Sequence, residues 1–472
     1  MLCTTKGYAA DGDDEWADDF EDDDAGFAPI SAPPSPAMTT SGPFRIKLGS
    51  RLRTGAFVER TGVEQISTVK WSNDLSTSYT GEQIRAVIGV RLDVDPVYLT
   101  HTRGFDEPTR EAYAYREFGQ ETLIAYRADA LDVSVGRQSI AWGQGDLSSP
   151  LDVVTPLDQR ETGLADIDEL RRPRLLSRLS WTHENHQLEL IVAHEAYYGE
   201  RPTPRAEYSP LRAALSADPV LNSLLGDKKL LLTSKQSGFA PSVWDQYIRW
   251  TRTDSGVDLS LTAARLRFTQ GVFTLPEIAS LANTEIDFQL DHPIYYVLGH
   301  SGAMTKGGLL IKWDLALNID EPVNTGQLTQ GTPMIETDTV NRFVPLLQVG
   351  YALTPSQQIS AEGMRPIPFT EVNNALYPLD LPIFSVRWTQ QLLRERLTLV
   401  AVATGFGFAA EYGGLARVEA AYELRDGLRS SVAFVHYHPG RAENFGPLYG
   451  LDRHDQILFQ LKWSGQTRFG KP

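Results

Sequence analysis

Nine histidines are the residues most able to do acid–base or metal chemistry: His101, His183, His186, His194, His292, His300, His436, His438 and His454. They are scattered. Only His436 and His438 share a strand face, at i and i+2, and no third metal ligand follows nearby. The dipeptide His300-Ser301 has no third group to orient a base, as nucleophilic catalysis requires. The chain contains no G-x-x-x-x-G-K-[ST], no G-x-S-x-G and no H-E-x-x-H. The glycine-rich stretch 404–414 reads as close backbone packing in a strand and turn rather than a phosphate cradle. No catalytic residue, metal site or cofactor is therefore expected.

Charge is the stronger signal. Lys+Arg is 44 and Asp+Glu 60, so the net charge is −16, the wrong sign for a general nucleic-acid binder. Ten of the fourteen residues from Asp11 to Asp24 are acidic. That run lacks the Gly and Glu placement of a calcium loop. It reads as a self-repelling tail, with binding of cations or a basic partner as the sharper alternative. Residues 31–43 (SAPPSPAMTTSGP) read as a linker, so 11–43 form one acidic, Pro/Ser-rich segment and folding begins at Phe44. Residues 1–10 carry only the small-residue end of a signal peptide. They are either the tail of a leader that starts upstream or the start of an unexported protein, and the pattern that follows favours the leader. One cysteine, Cys3, excludes an intramolecular disulfide framework.

From Phe44 onward the dominant period is 2. Phe44, Ile46, Leu48 and Leu52 oppose Arg45, Lys47, Arg51 and Arg53. Ile84, Ala86, Ile88, Val90, Leu92 and Val94 oppose Arg85, Arg91, Asp93 and Asp95. Ala416, Val418, Ala420, Tyr422 and Leu424 oppose Arg417, Glu419 and Glu423, and Ile457, Phe459, Leu461 and Trp463 oppose Gln456, Gln460 and Lys462. Each segment is a strand with one apolar and one polar face. The strands come in pairs around short turns, such as 254–256, 184–186, 306–308, 354–356 and 425–427. Between pairs run long segments, 144–173, 196–243, 269–292 and 366–380, with local helices expected in 209–226 and 273–282.

Tight turns alternating with long loops are the asymmetry of an outer-membrane barrel. No stretch approaches the ~18 apolar residues of a spanning helix. Charges recur on the polar faces (Arg45, Lys312, Asp314, Arg387, Arg417, Glu419), as a wet lumen allows. Aromatics cluster near strand ends (Trp71, Tyr79, Tyr113, Tyr115, Trp181, Trp244, Trp250, Trp388, Tyr412, Tyr437, Trp463), as interfacial girdles require. The expected fold is a single all-β antiparallel transmembrane barrel over 44–469. About sixteen strands are expected, within a range of fourteen to eighteen.

The stretch 131–160 reads LDVSVGRQSIAWGQGDLSSPLDVVTPLDQR. Its Gly136, Arg137, Gln138, Trp142, Gly143, Asp146, Asp152, Pro156 and Asp158 resemble the signature of a proteobacterial outer-membrane barrel family of unknown function, loosely alginate-export- and porin-like. The resemblance implies a Gram-negative outer-membrane, porin-type channel for small, lipid-like or other organic solutes, with no catalytic residues. It also implies outer-membrane lipids around the barrel, and porin-type barrels of this size are often homo-oligomers.

Strict alternation from Leu131 aims Arg137 at lipid, at about 2–4 kcal/mol near the midplane. Either a bulge at Gly136 turns it inward, the preferred reading, or it snorkels at the rim. Turned inward, Arg137 would latch Asp146, Asp152 and Asp158 of the next loop and narrow the lumen. Arg137→Ala would then raise conductance. The constriction candidates are Arg137, Gln138, Asp146, Asp152, Asp158, Arg85, Arg91, Arg417 and Glu419. The charged run 166–174 either completes this network or is solvated loop. Two other functions fit the same strands. One is an outer-membrane barrel enzyme of lipase or protease type, marked by a Ser/His or Asp/His pair at the wall. The other is a soluble β-rich carbohydrate-binding protein, with its apolar faces packed on each other.

Overall fold

A computed structural model describes residues 43–100, 103–146, 149–274, 283–329, 332–441, 444 and 446–469. The acidic segment and the residues before it lie outside these. So does the helix expected in 273–282 beyond Thr274.

Alternation converts directly into strands: β1 (Phe44–Phe57), β2 (Ile66–Thr80), β3 (Ile84–Val94), β4 (Tyr115–Ala128), β5 (Leu131–Gln138), β6 (Arg174–His183), β7 (His186–Ala193), β8 (Asp245–Asp254), β9 (Val257–Arg267), β10 (Ile294–Lys306), β11 (Leu309–Thr329), β12 (Thr332–Thr354), β13 (Gln357–Met364), β14 (Ile383–Leu392), β15 (Leu397–Phe406), β16 (Gly414–Arg425), β17 (Leu428–His438) and β18 (Gln456–Phe469). Each pairs antiparallel with the next. Strand β18 pairs back onto β1, from Phe44↔Phe469 to Phe57↔Gln456. The result is a closed barrel of eighteen strands, at the upper end of the expected range. Closure gives every barrel strand a partner on both sides, which a barrel in lipid requires. At the seam the Phe44 and Phe469 rings stack 5.7 Å apart.

The two ends differ. One carries the short turns 81–83, 129–130, 184–185, 255–256, 307–308, 355–356, 393–396 and 426–427, together with the start of β1 and the end of β18. The other carries the long connections 95–114, 139–173, 194–244, 268–293, 365–382 and 439–455. Helices Pro210–Ala217 and Pro219–Leu225 fall where a local helix was expected. Also at the loop end, Lys229–Ser234 runs parallel to Glu285–Asp291, which pairs with Val272–Thr274. The β11–β12 hairpin rises beyond the barrel above a register break at Asn318–Glu321.

Period 2 also sorts the surfaces. Val87 is 4% exposed and its neighbour Ile88 67%; Leu346 is 1% exposed and Leu347 54%. Exposed Leu48, Ile124, Leu261, Leu298, Val349, Val418 and Val432 continue an apolar belt around the outside. A soluble monomer rarely leaves so large an apolar area uncovered, whereas lipid covers it. The soluble face-to-face packing of these strands is therefore not the arrangement adopted. Two expected girdle residues do not belong to the belt. Tyr113 and Tyr437 are each 1% exposed and point inward.

Candidate functional site

The β5–β6 connection, 139–173, turns into the lumen and is held in two halves. Its first half is held by apolar packing. Trp142, Leu151 and Val154 are buried among Leu176, Ile191, Tyr247, Ala264, Leu266, Val297 and Ala316 from the β6–β11 wall. Trp142 Nε1 donates to Glu189 at 2.6 Å, and the ring meets Tyr247 edge-on at 5.8 Å. Leu151 packs so close to β10 that a Cβ on Gly299 would lie 2.3 Å from it. Polar contacts reinforce this half. Asp146 accepts from Lys312 at 2.9 Å and from Gln348. The Asp146 and Gln144 amides donate to Glu362 and Asp314 at 2.8 and 2.9 Å.

The second half is held by charge. Glu169 bonds Arg51 at 2.7 Å and Arg53 at 3.4 Å on β1. Glu161 bonds Lys70 on β2 and Arg116 on β4. Asp158 is shared by Arg160 and Arg172, each at 2.7 Å, with Arg116 at 3.8 Å. Asp166 bonds Arg417 on β16 at 3.1 Å, and Arg417 also holds Glu419. Tyr113 and Tyr437 donate to the carbonyls of Arg160 and Thr162, which explains why neither faces lipid. The gap left in this network is about 30 Å³, room for a single water.

These ion pairs set the ionisation of the loop. Burial opposes charge on Glu161, but facing Lys70 and Arg116 outweigh it and hold the carboxyl well below the usual range. Burial opposes charge on Glu169 in the same way, and Arg51 and Arg53 reverse it. Asp158 is likewise held low against its burial by the hydrogen bond and charge of Arg160 and by Arg172. The loop is a charged strap at neutral pH, not a neutral plug.

Arg137 is not part of this strap. The register of β5 against β4 and β6 runs unbroken through Gly136, so there is no bulge at Gly136 and Arg137 keeps the outward phase of Val135. Gly136 serves a different need. Its φ is +139°, and a Cβ there would lie 2.2 Å from the Thr122 carbonyl. At the loop-end rim Arg137 bonds Glu195 at 2.6 Å and the Pro173 carbonyl at 3.1 Å. The expected latch from Arg137 to Asp146, Asp152 and Asp158 is corrected accordingly. Asp146 goes to Lys312, Asp152 to Arg171 at 2.7 Å, and Asp158 to Arg160 and Arg172.

The remaining candidates divide. Gln138 points inward and is buried, accepting from Ser134 and donating to the Leu176 carbonyl. Arg91 lies inward against Asp93 at 3.0 Å and Asp74 at 3.7 Å. Arg85 is buried on the same face near the turn end. The run 166–174 is not solvated loop, since its Asp166, Glu169, Arg171 and Arg172 all join the network. Lys70, Arg116, Glu161, Glu189 and Glu195 were missed. Lys70 and Arg116 could have been found by extending the alternation to β2 and β4. No sequence pattern joins Glu161 or Glu195 to partners far along the chain.

A second charged centre lies at the mouth. Buried Glu207 accepts from Arg60 at 2.6 Å, Arg103 at 2.8 Å and Arg212 at 3.1 Å, and meets His454 at 3.0 Å. It forms part of the wall of a cavity of about 590 Å³ between residues 60–64, 207–217, 439–441 and 449–454.

A serine–histidine pair lies at the wall. Ser177 Oγ and His194 Nε2 are 2.8 Å apart. Among the described residues, no carboxylate or amide meets the second ring nitrogen of His194, so the pair lacks the orienting group of a triad. His436 bonds Asp455 at 2.7 Å. Among the described residues, no group of three His, Cys, Asp or Glu is arranged for a metal.

No family model matches the chain, and no curated protein matches it. Solved structures similar in shape include OccK5 (OpdH) of Pseudomonas aeruginosa, at 9% identity over 90% of this chain and 98% of that one, with a TM-score of 0.48. The outer membrane protein opdK of the same organism is 10% identical over 90% and 99%, with a TM-score of 0.47. OccAB4 of Acinetobacter baumannii is 9% identical over 90% and 98%, with a TM-score of 0.47.

Proposed function

We propose that this protein is a porin-like channel of the Gram-negative outer membrane, surrounded by its lipids, through which small organic solutes pass without chemical change. One observation carries the reading: a closed barrel with an apolar outer belt holds the loop 139–173 strapped across its lumen by ion pairs to β1, β2, β4 and β16. Such a strap narrows a channel and presents both signs of charge to what passes. A constriction made of guanidinium–carboxylate pairs selects polar or ionic solutes over lipid-like cargo, whose transfer past those charges is costly. The mouth cavity beside Glu207 would be the first station on the path. The likeness of 131–160 to an uncharacterised outer-membrane barrel family points the same way.

The test has two stages. Exported protein should leave the membrane only with detergent and shift on gels when boiled, and should then form discrete conductance steps in planar bilayers. Protein that stays in solution without detergent would overturn the membrane reading. A heat-modifiable barrel without conductance would overturn the channel.

A further inference from the structure

The outer wall of β5–β9 departs from the apolar belt at its loop end. At mid-wall the outward residues are Val135, Leu179, Leu190, Ile248 and Leu261. Nearer the loops they become Arg137, Leu175, Ser177, His194, Gln246 and Arg265, polar except for Leu175. The registers make these neighbours: Ser177 pairs with Val135 and Val192, Val192 with Gln246, and Gln246 with Arg265. By contrast, β3 stays apolar on its outward face through Val90, Leu92 and Val94 to the loop end.

We propose that this stripe is a groove for the phosphate-bearing headgroup of a glycolipid in the leaflet around the loop end of the barrel, an inference that rests on the membrane reading above. Arg265 Nη1 donates to the Trp244 carbonyl at 3.3 Å. Arg267 donates Nη1 to the His292 carbonyl at 2.9 Å and Nη2 to the Ser242 carbonyl at 2.6 Å. Carbonyls orient a guanidinium but do not cancel its charge. Among the described residues neither arginine has a carboxylate partner, whereas Arg137 is neutralised by Glu195. Two positive charges are thus held at the rim where the apolar belt ends. A guanidinium in that position bonds phosphate bidentately. Ser177 and Gln246 add hydroxyl and amide groups for headgroup oxygens. Trp244, edge-on to His194 at 4.5 Å, supplies the indole that favours the headgroup level.

The experiment compares the folded protein with the Arg265→Gln/Arg267→Gln variant by native mass spectrometry after incubation with diphosphoryl lipid A in detergent. Detergent dependence and the boiling shift are read first on both proteins. Failure of both on the parent chain would overturn the membrane reading and the groove with it. Given a folded barrel, the substitutions should weaken lipid A retention on the order of tenfold, the effect of losing one or two charge-assisted bonds. Dephosphorylated lipid A should bind the parent no better than lipid A binds the variant. Arg252→Gln, at the turn-end rim, should leave retention unchanged. Arg265→Gln alone serves if the double variant does not fold. Equal retention by parent and variant would overturn the groove, as would full displacement of lipid A by inorganic phosphate, which would mark a generic anion site.

Discussion

The guanidinium of Arg51, on the first barrel strand, donates to the carboxylate of Glu169 at 2.7 Å, joining residues 118 positions apart. This bond and its Arg53 companion tie the far end of the lumenal loop to the seam of the barrel. Both partners are largely buried, so removing one leaves a charge with little water to receive it.

Glu169→Gln should therefore loosen the second half of the loop. The expected cost is about 3–5 kcal/mol of loop attachment, as for breaking a buried pair. The unbalanced Arg51 and Arg53 should move the reversal potential in a salt gradient toward anion selectivity. An unchanged reversal potential in a heat-modifiable variant would show that Glu169 does not face the permeation path.

Trp142→Ala tests the other half. Loss of the buried indole and its bond to Glu189 should cost about 3–5 kcal/mol. The barrel is closed by its own ladders, so the boiling shift should persist. Limited proteolysis should instead begin to cut within 139–155. Resistance equal to the parent would mean that the apolar contacts do not hold this half.

Arg137→Ala should leave single-channel conductance unchanged, because the side chain bonds Glu195 at the outer rim rather than the lumenal loop. A wider channel in this variant would restore the inward latch expected from the motif.

Acid should act on the loops before it acts on the strap. Burial pushes the His292 ring down to about 4, against the opposing hydrogen bond to Phe268. A carbonyl can only accept, so Nδ1 carries the proton to Phe268 and Nε2 accepts from Ser234. Because the folded value lies below the unfolded value of ~6.5, this junction is fully stabilising above about pH 6.5 and weakens as pH falls toward 4. Glu161 and Glu169 are held low, so their contribution is complete above the unfolded value of ~4.3 and is lost only below it. Hydrogen-exchange protection in 229–234, corrected for the intrinsic exchange rate, should fall between roughly pH 6.5 and 4 while conductance stays constant. Protection independent of pH, or equally pH-dependent in His292→Gln, would sink this assignment.

Much of the architecture was legible in the residues. Alternation in 44–53, 83–95, 415–424 and 456–463 specifies which side chains face outward, because a strand offers only two faces and lipid accepts only one kind. The Gly- and Pro-containing turns at 255–256, 307–308, 355–356 and 426–427 mark one end, since tight hairpins need those backbone conformations. The long segments between them mark the other. Gln138 and Asp146 could be picked out as inward or loop polar groups from the same pattern.

Partner choice was decided by the tertiary structure. Period 2 says that Arg51, Lys70, Arg116 and Arg417 line the lumen but not which carboxylate each meets, because strand curvature and closure place them around a loop more than 40 residues away. Arg137 shows the limit most plainly. Its neighbours in sequence suggested a bulge and a lumenal aspartate. The unbroken β4–β5–β6 ladder kept it outside, where Glu195, carried there by the next hairpin, neutralises it. Local sequence set the face of each strand, and only barrel closure decided which charges came within bonding distance.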